Sequence, residues 1–131
     1  MMKVLSIKEP FATLIKDGVK IYETRSWKTN YRGEIYIHAS IGKSKSENVE
    51  KGITYLKSSM NPGYILCKCE LVDCIPMTEE FIEYIKDKTH EMDYGQYGEG
   101  RYAWKMKVLE VLEEPIKAKG KLGIWNYTNE K

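Results

Sequence analysis

One short segment near the N-terminus, Lys20 to Arg25, combines an amine, a carboxylate, a hydroxyl and a guanidinium within six residues. Groups of these types polarise carbonyls, move protons and bind anions. The segment is equally typical of an edge strand with surface ion pairs, each of which contributes at most about 1 kcal/mol. Gly18 precedes it, where a left-handed cap ends a helix, so we expect Lys20 at a helix exit with Glu23 and Arg25 on one face of a strand.

Aromatic and basic residues alternate directly after this segment. Aromatic rings stack on unpaired bases, and basic side chains contact phosphate. The sequence therefore predicts a surface that binds RNA or a nucleoside, formed by Arg25, Trp27, Lys28, Tyr31 and Arg32.

Two further residues, Glu70 and His38, are candidates for chemistry. Glu70 lies on a predicted strand and offers a second carboxylate for Lys20, although it is as readily explained as a neighbour of Lys68 two residues away. His38 is a candidate general base. No serine or cysteine is linked to it by sequence spacing, which favours a core or hydrogen-bonded histidine.

The three cysteines, Cys67, Cys69 and Cys74, lie within eight residues of one another. This spacing differs from the spread framework of a secreted disulfide protein and indicates reduced thiols. No second Cys/His pair at zinc-ligand spacing accompanies them, so neither a metal nor a cofactor is expected. Cys67 and Cys69 alternate with Lys68 and are predicted to be small core residues.

Hydrophobic periodicity predicts short strands separated by short helices. This order indicates an α+β fold with a small, partly closed sheet, and the apolar fraction of 42% suffices for one domain over residues 1–131. Thr78 and the pattern Ser44-x-x-Glu47 are predicted helix caps, and Pro115 is predicted to end or reroute the last long strand.

The charge balance and the N-terminus limit the class of protein. The net charge of +2 demands no polyanionic partner, although it permits a local basic cleft. Lys3, Lys8 and Glu9 interrupt the N-terminal apolar run, and no segment approaches membrane-spanning length. We therefore expect a cytoplasmic domain that does not interact with a membrane.

An ordered set of motifs between about Val4 and Trp125 resembles the ASCH domain family. The motifs are Leu5-Ser6-Ile7-Lys8-Glu9-Pro10-Phe11-Ala12, Gly18-Val19-Lys20-x-x-Glu23-x-Arg25-Ser26-Trp27, Tyr31-Arg32-Gly33, Ile37-His38-Ala39-Ser40 and Tyr102-Ala103-Trp104. The resemblance implies a PUA-like small β-barrel with flanking short helices, whose cleft handles RNA or modified nucleosides.

The resemblance extends to small bacterial amidohydrolases that remove the acetyl group of N4-acetylcytidine. Their catalytic set is a lysine, a threonine three residues later and a glutamate on a later strand. It implies Lys20 and Glu70 as catalytic residues, with Glu23 at the threonine position. Glu23 or Glu70 would then activate water while Lys20 polarises the carbonyl. The alternatives are a non-catalytic RNA-binding module, a weak ribonuclease or a protein-interaction scaffold.

Overall fold

The computed structural model describes residues 2–128. Its elements alternate between strands and short helices, which confirms the predicted α+β class. In chain order they are β1 (Met2–Lys8), α1 (Phe11–Lys16), β2 (Tyr22–Arg25), β3 (Gly33–Ser40), α2 (Val49–Ile53), β4 (Tyr64–Pro76), α3 (Glu79–Lys88), a 3₁₀ helix (Glu91–Tyr94), β5 (Tyr102–Lys117) and β6 (Ile124–Tyr127).

The six strands of the described residues form one sheet in the order β2-β5-β4-β3-β1-β6. The β1 and β3 strands are parallel, and the other neighbouring pairs are antiparallel. The sheet curves into a half-barrel with β2 and β6 at its edges. Within residues 2–128, no helix is long and apolar enough to cross a membrane.

The α1 helix covers the centre of the sheet and positions the segment that follows it. Five consecutive residues, Phe11 to Ile15, are buried, so packing rather than intrinsic propensity stabilises this one-and-a-half-turn helix. The helix ends as predicted, with Gly18 at a φ of 75°. The backbone N–H of Lys20 then donates to the carbonyl of Leu14 at 3.0 Å, which fixes the start of the segment leading into β2.

Strand β5 continues through Pro115 to Lys117, so the prediction that Pro115 ends or reroutes it is wrong. The pairing of β5 with β4 becomes irregular between Ile65 and Cys67, and Pro115 lies in the part of β5 opposite this irregularity. A proline, which has no N–H to donate, is tolerated where a ladder is interrupted.

The two predicted helix caps differ in outcome. Thr78 caps α3 as predicted, accepting a backbone hydrogen bond from the first turn at 3.1 Å. The Ser44-x-x-Glu47 cap is wrong, because α2 begins only at Val49 and has no side-chain cap. The Ser44 hydroxyl instead accepts from the backbone N–H of Ser46 within a turn.

Candidate functional site

A cavity of about 190 Å³ lies where the ends of β1 and α1 meet β2 and the loop after the 3₁₀ helix. Its wall combines apolar side chains with the charged segment after α1. The lining residues are Ile7, Lys8, Phe11, Lys20, Glu23, Thr24, Arg25, Ser44, Ser46, Tyr94, Gly95 and Gln96. The structure therefore brings the functional groups of Lys20 to Arg25 to one concave surface.

Lys20 is only 2% exposed, although it lies in the wall of a cavity. Its Nζ donates to the backbone carbonyl of Tyr94 at 2.8 Å and lies over the rings of Phe11 and Tyr94, at 5.7 and 5.9 Å from their centroids. Burial lowers the pKa of Lys20, and the nearby carboxylates of Glu23 and Glu91 oppose that effect. Lys20 thus holds its proton less firmly than a surface lysine.

Glu23 and Arg25 share one face of β2, as the strand periodicity predicted. The Nε of Arg25 donates to Oε2 of Glu23 at 2.9 Å, and its Nη2 donates to the carbonyl of Ser6 at 2.8 Å. Glu23 is 7% exposed, and the guanidinium carbon lies 6.0 Å from the ring centroid of Trp104. The carboxylate is therefore held in place by a charge-assisted hydrogen bond.

Sequence reasoning missed Glu91, which lies in the 3₁₀ helix and is only 2% exposed. Its two carboxylate oxygens accept the backbone N–H groups of Ile21 and Tyr22, at 2.9 and 3.2 Å. Burial raises the pKa of Glu91, while these hydrogen bonds and Lys20 oppose the rise. Glu91 therefore anchors the backbone at the start of β2, and no local sequence pattern around it indicates such a role.

The structure does not bring Glu70 to the cavity. Glu70 is exposed on β4, where its strand partners are Glu34 and Lys107. Strand β5 separates β4 from β2, so β4 is not a neighbour of the strand that carries Glu23. The carboxylates that raise the pKa of Lys20 are those of Glu23 and Glu91.

Trp27 and Lys28, two members of the predicted ligand surface, lie after β2 and outside the cavity wall. Trp27 is 41% exposed and packs edge-on against the buried Trp104, with ring centroids 4.7 Å apart. Lys28 is exposed. Arg25 also lies near Trp104. Trp27 and the cavity residue Arg25 therefore lie next to the same buried ring.

Tyr31 and Arg32 also lie outside the cavity wall. The hydroxyl of Tyr31 donates to the carbonyl of Glu34 at 2.6 Å. Arg32 donates to two carbonyls of its own loop and lies 3.5 Å from a carboxylate oxygen of Asp73. Of the five predicted ligand-binding residues, the structure places only Arg25 in the cavity.

The cysteines lie apart from this site. Cys67 and Cys69 are fully buried with their sulfur atoms 3.9 Å apart, which confirms that they are core residues. The hydrogen bond with the Cys69 thiol, together with burial, raises the pKa of Cys67, so this thiol is protonated at neutral pH. In the chain from residue 2 to residue 128, no cluster of three or more His, Cys, Asp or Glu side chains is placed to hold a metal ion.

The sequence of this chain matches the model of one known protein family. The family model described as the ASCH domain matches residues 5–116, which is most of the chain and includes every residue of the Lys20 to Arg25 segment. The chain belongs to the ASCH domain family. ASCH domains are in general RNA-binding, and the six-stranded half-barrel confirms the PUA-like fold expected for one.

Two longer proteins contain a similar ASCH segment. Activating signal cointegrator 1 of Homo sapiens is 31% identical over 99 residues, and that of Mus musculus is 33% identical over 100 residues. Each match covers 68% of this chain but only 17% of the relative. The chain therefore matches only a small part of the length of these relatives.

Proposed function

We propose that this ASCH domain binds RNA or a modified nucleoside, with one base held in the cavity beside Lys20. The observation that supports this most is the joint placement of Lys20, Glu23 and Arg25 in the wall of a single cavity, with Lys20 and Glu23 almost fully buried. Burying a charged group is costly, so a fold that buries Lys20 and Glu23 beside the partly exposed Arg25 in one cavity wall favours a polar ligand.

The donors and acceptors of the cavity match the edge of a base. Lys20 and Arg25 donate hydrogen bonds, which suits a base carbonyl or ring nitrogen, and the Glu23 carboxylate accepts from an exocyclic amine. A cavity of about 190 Å³ accommodates a flat ring but not a duplex. The ligand in this proposal is a free nucleoside or an unpaired nucleotide of RNA.

In this proposal, residues outside the cavity contact the nucleotides next to the bound base. Trp27 is 41% exposed, and Lys28 and Arg32 add positive charge in the same loop region. In this arrangement Trp27 and Tyr31 stack on adjacent bases while the basic side chains contact phosphates. These contacts supply affinity, and the cavity supplies selectivity for one base.

RNA binding is tested by fluorescence anisotropy with single-stranded oligoribonucleotides at several salt concentrations. The expected result is an affinity that falls as salt rises and that weakens in the double variant Arg25→Ala, Arg32→Ala. The variant Lys86→Ala, Lys88→Ala removes the same charge from exposed positions of α3 and serves as the control. No binding at low salt, or equal weakening in both double variants, would contradict the proposal.

A second proposal is that the same cavity hydrolyses an acyl amide such as that of N4-acetylcytidine. The supporting observation is the lowered pKa of Lys20 beside the fixed carboxylate of Glu23. Lys20 polarises the acetyl carbonyl while Glu23 takes a proton from the attacking water. That proton passes to the leaving nitrogen, the C–N bond breaks, and acetate and cytidine are released.

Hydrolysis is tested by following cytidine release from N4-acetylcytidine by chromatography. Lys20→Ala and Glu23→Gln are expected to abolish release, whereas Glu99→Gln, at an exposed position, retains it. The Glu70→Gln variant separates this proposal from the role that resemblance implies for Glu70. Loss of release in Glu70→Gln would argue for Glu70, and equal rates in wild type and Lys20→Ala would rule out the reaction at this site.

A further inference from the structure

A second cavity, of about 340 Å³, lies beside the loop that connects β5 to β6. None of its lining residues lines the cavity around Lys20. Ser6 of β1 and His38 of β3 lie in its wall, and Gly120 of the connecting loop faces them. The side chains of Ser6 and His38 come together because their strands are parallel neighbours with these two residues in register.

The hydrogen bonds of His38 fix the roles of its two ring nitrogens. Nε2 lies 2.7 Å from the backbone carbonyl of Ala118, which can only accept, so Nε2 carries the proton. In the neutral imidazole Nδ1 is then an acceptor, and it lies 3.1 Å from the hydroxyl oxygen of Ser6. Ser6 therefore donates to His38, as a serine nucleophile donates to its general base.

The Ala118 carbonyl accepts a hydrogen bond from His38, as the aspartate carboxylate does from the histidine of a Ser-His-Asp triad. The Ala118 carbonyl orients the ring and stabilises the imidazolium that forms when Nδ1 takes a proton. Trp125 Nε1 donates to the Ser6 oxygen at 2.9 Å and holds the hydroxyl in place. The strand pairing shifts register between Ile37 and His38, an irregularity of the kind that redirects side chains near active sites.

The backbone at Gly120 passes directly over the pair. A Cβ at this position would lie 2.7 Å from the ring carbon Cε1 of His38 and 2.9 Å from the Ser6 oxygen, so the close approach requires glycine. Within residues 2–128, the backbone N–H groups of Gly120 and Lys121 donate to no protein acceptor. They are available to stabilise the oxyanion of a reacting ester.

We propose that Ser6 and His38 form a second, nucleophilic site that hydrolyses small carboxylic esters. The Ser6 oxygen bonds to the carbonyl carbon as its proton moves to Nδ1 of His38. The ester C–O bond breaks and the leaving alcohol takes that proton. Water then attacks the acyl-serine, gives a proton to His38 and releases the carboxylic acid, and the proton returns to the Ser6 oxygen.

Two exposed lysines indicate which class of ester this second site prefers. Lys119 and Lys121 line the cavity on either side of Gly120. Their positive charge favours an ester that carries a negatively charged group. The apolar part of the wall, with Ile41 and Leu122 exposed by 78% and 98%, suits a short acyl chain.

The direct test is covalent labelling of the wild-type chain by a fluorophosphonate probe, followed by peptide mass spectrometry. The expected result is one label per chain, located on Ser6, with a rate that falls about 100-fold or more in His38→Ala. Ser59→Ala, at an exposed serine with no histidine partner, is the control and keeps the wild-type rate. The labelled residue is identified in the wild-type chain, so the result does not depend on whether a Ser6→Ala variant folds.

Turnover separates a nucleophilic site from a hydrogen bond chain that only joins β1, β3 and β6. Release of p-nitrophenol from p-nitrophenyl acetate is expected to continue beyond one equivalent and to fall in Gly120→Ala, whose added methyl group displaces Ser6 or His38. A label located elsewhere, labelling no faster than that of the urea-unfolded chain, or absence of turnover would each overturn the proposal.

Discussion

Lys20 and Glu91 are both buried near the start of β2, and burial lowers the pKa of Lys20 and raises the pKa of Glu91. Each also lowers the cost of burying the other, because opposite charges attract more strongly where water is excluded. Lys20 also donates to the Tyr94 carbonyl, and the Glu91 carboxylate accepts from the N–H groups of Ile21 and Tyr22. The chemistry of the cavity therefore depends on a pair that is 71 positions apart in sequence.

The lowered pKa of Lys20 predicts how stability changes with pH. The unfolded chain binds its lysine proton up to about 10.5, whereas folded Lys20 releases the proton at lower pH. Between the two pKa values the unfolded chain holds more protons, so the free energy of unfolding rises with pH. Relative to Lys20→Met, the wild type should gain stability in urea titrations as pH rises from neutrality towards 10.5. A difference that stays constant would contradict burial of this amine.

Glu91→Gln tests the anchoring of β2. A carboxamide has one oxygen, so one of the N–H groups of Ile21 and Tyr22 loses its partner, at a cost of about 1–3 kcal/mol in the free energy of unfolding. Amide hydrogen exchange at Ile21 or Tyr22 should accelerate as well. Glu99→Gln, at an exposed position of the following loop, is the control. Equal stability and unchanged exchange in Glu91→Gln would show that the carboxylate does not hold the strand.

At the scale of elements, the exit from α1 determines where Lys20 lies. Helix α1 has only six residues, and Gly18 follows its end. The backbone N–H groups of Val19 and Lys20 then both donate to the carbonyl of Leu14. The following strand, β2, has four residues and one neighbour, β5. Such a short edge strand needs the additional hydrogen bonds from Glu91 to keep Glu23 and Arg25 in position.

Gly18→Ala tests whether the end of α1 requires a residue in the left-handed conformation. Gly18 has a φ of 75°, and no heavy atom of residues 2–128 outside its immediate chain neighbours lies within 4 Å of the position that a Cβ would occupy. The cost of Gly18→Ala is therefore conformational, about 1–2 kcal/mol. Thermal or urea unfolding measures it. Gly42→Ala is the matched control, since Gly42 lacks a positive φ and its nearest contact would be 3.9 Å away. A Gly18→Ala variant as stable as Gly42→Ala would contradict the requirement for a left-handed residue.

At the scale of the whole fold, one sheet joins the three hydrophobic clusters found within residues 2–128. Trp104 lies in the largest cluster under α1, whereas Trp125 packs with Val4 and Ile65 near β6. Strand β1 contributes to both clusters, with Leu5 in one and Val4 in the other. Because the clusters share strands, neither should lose its packing independently of the other.

This shared sheet predicts a single cooperative unfolding transition. Urea unfolding of Trp125→Phe followed by fluorescence reports mainly on Trp104 and its neighbour Trp27, and unfolding of Trp104→Phe reports on the remaining indoles. Within each variant, the fluorescence midpoint is expected to coincide with the far-ultraviolet circular dichroism midpoint. Separate midpoints within one variant would show that the β6 edge unfolds before the core.

The sequence by itself determined features that depend on neighbouring residues. The helix end at Gly18, the shared face of Glu23 and Arg25, the inward direction of Cys67 and the cap at Thr78 all follow from local periodicity and backbone conformation. These features reflect interactions over a few residues, for which composition and spacing carry the necessary information. The motif order was likewise sufficient to indicate the ASCH domain family.

Only the tertiary structure decided which distant groups meet. Glu91 reaches the N–H groups of Ile21 and Tyr22 across about 70 residues. Ser6 meets His38 across 32 residues, because parallel pairing of β1 and β3 brings them together. The strand order also places β5 between β4, which carries Glu70, and β2, which carries Glu23. Alternation predicts the face on which a side chain lies but not which strand is its neighbour, since that depends on how the whole sheet buries its apolar surface.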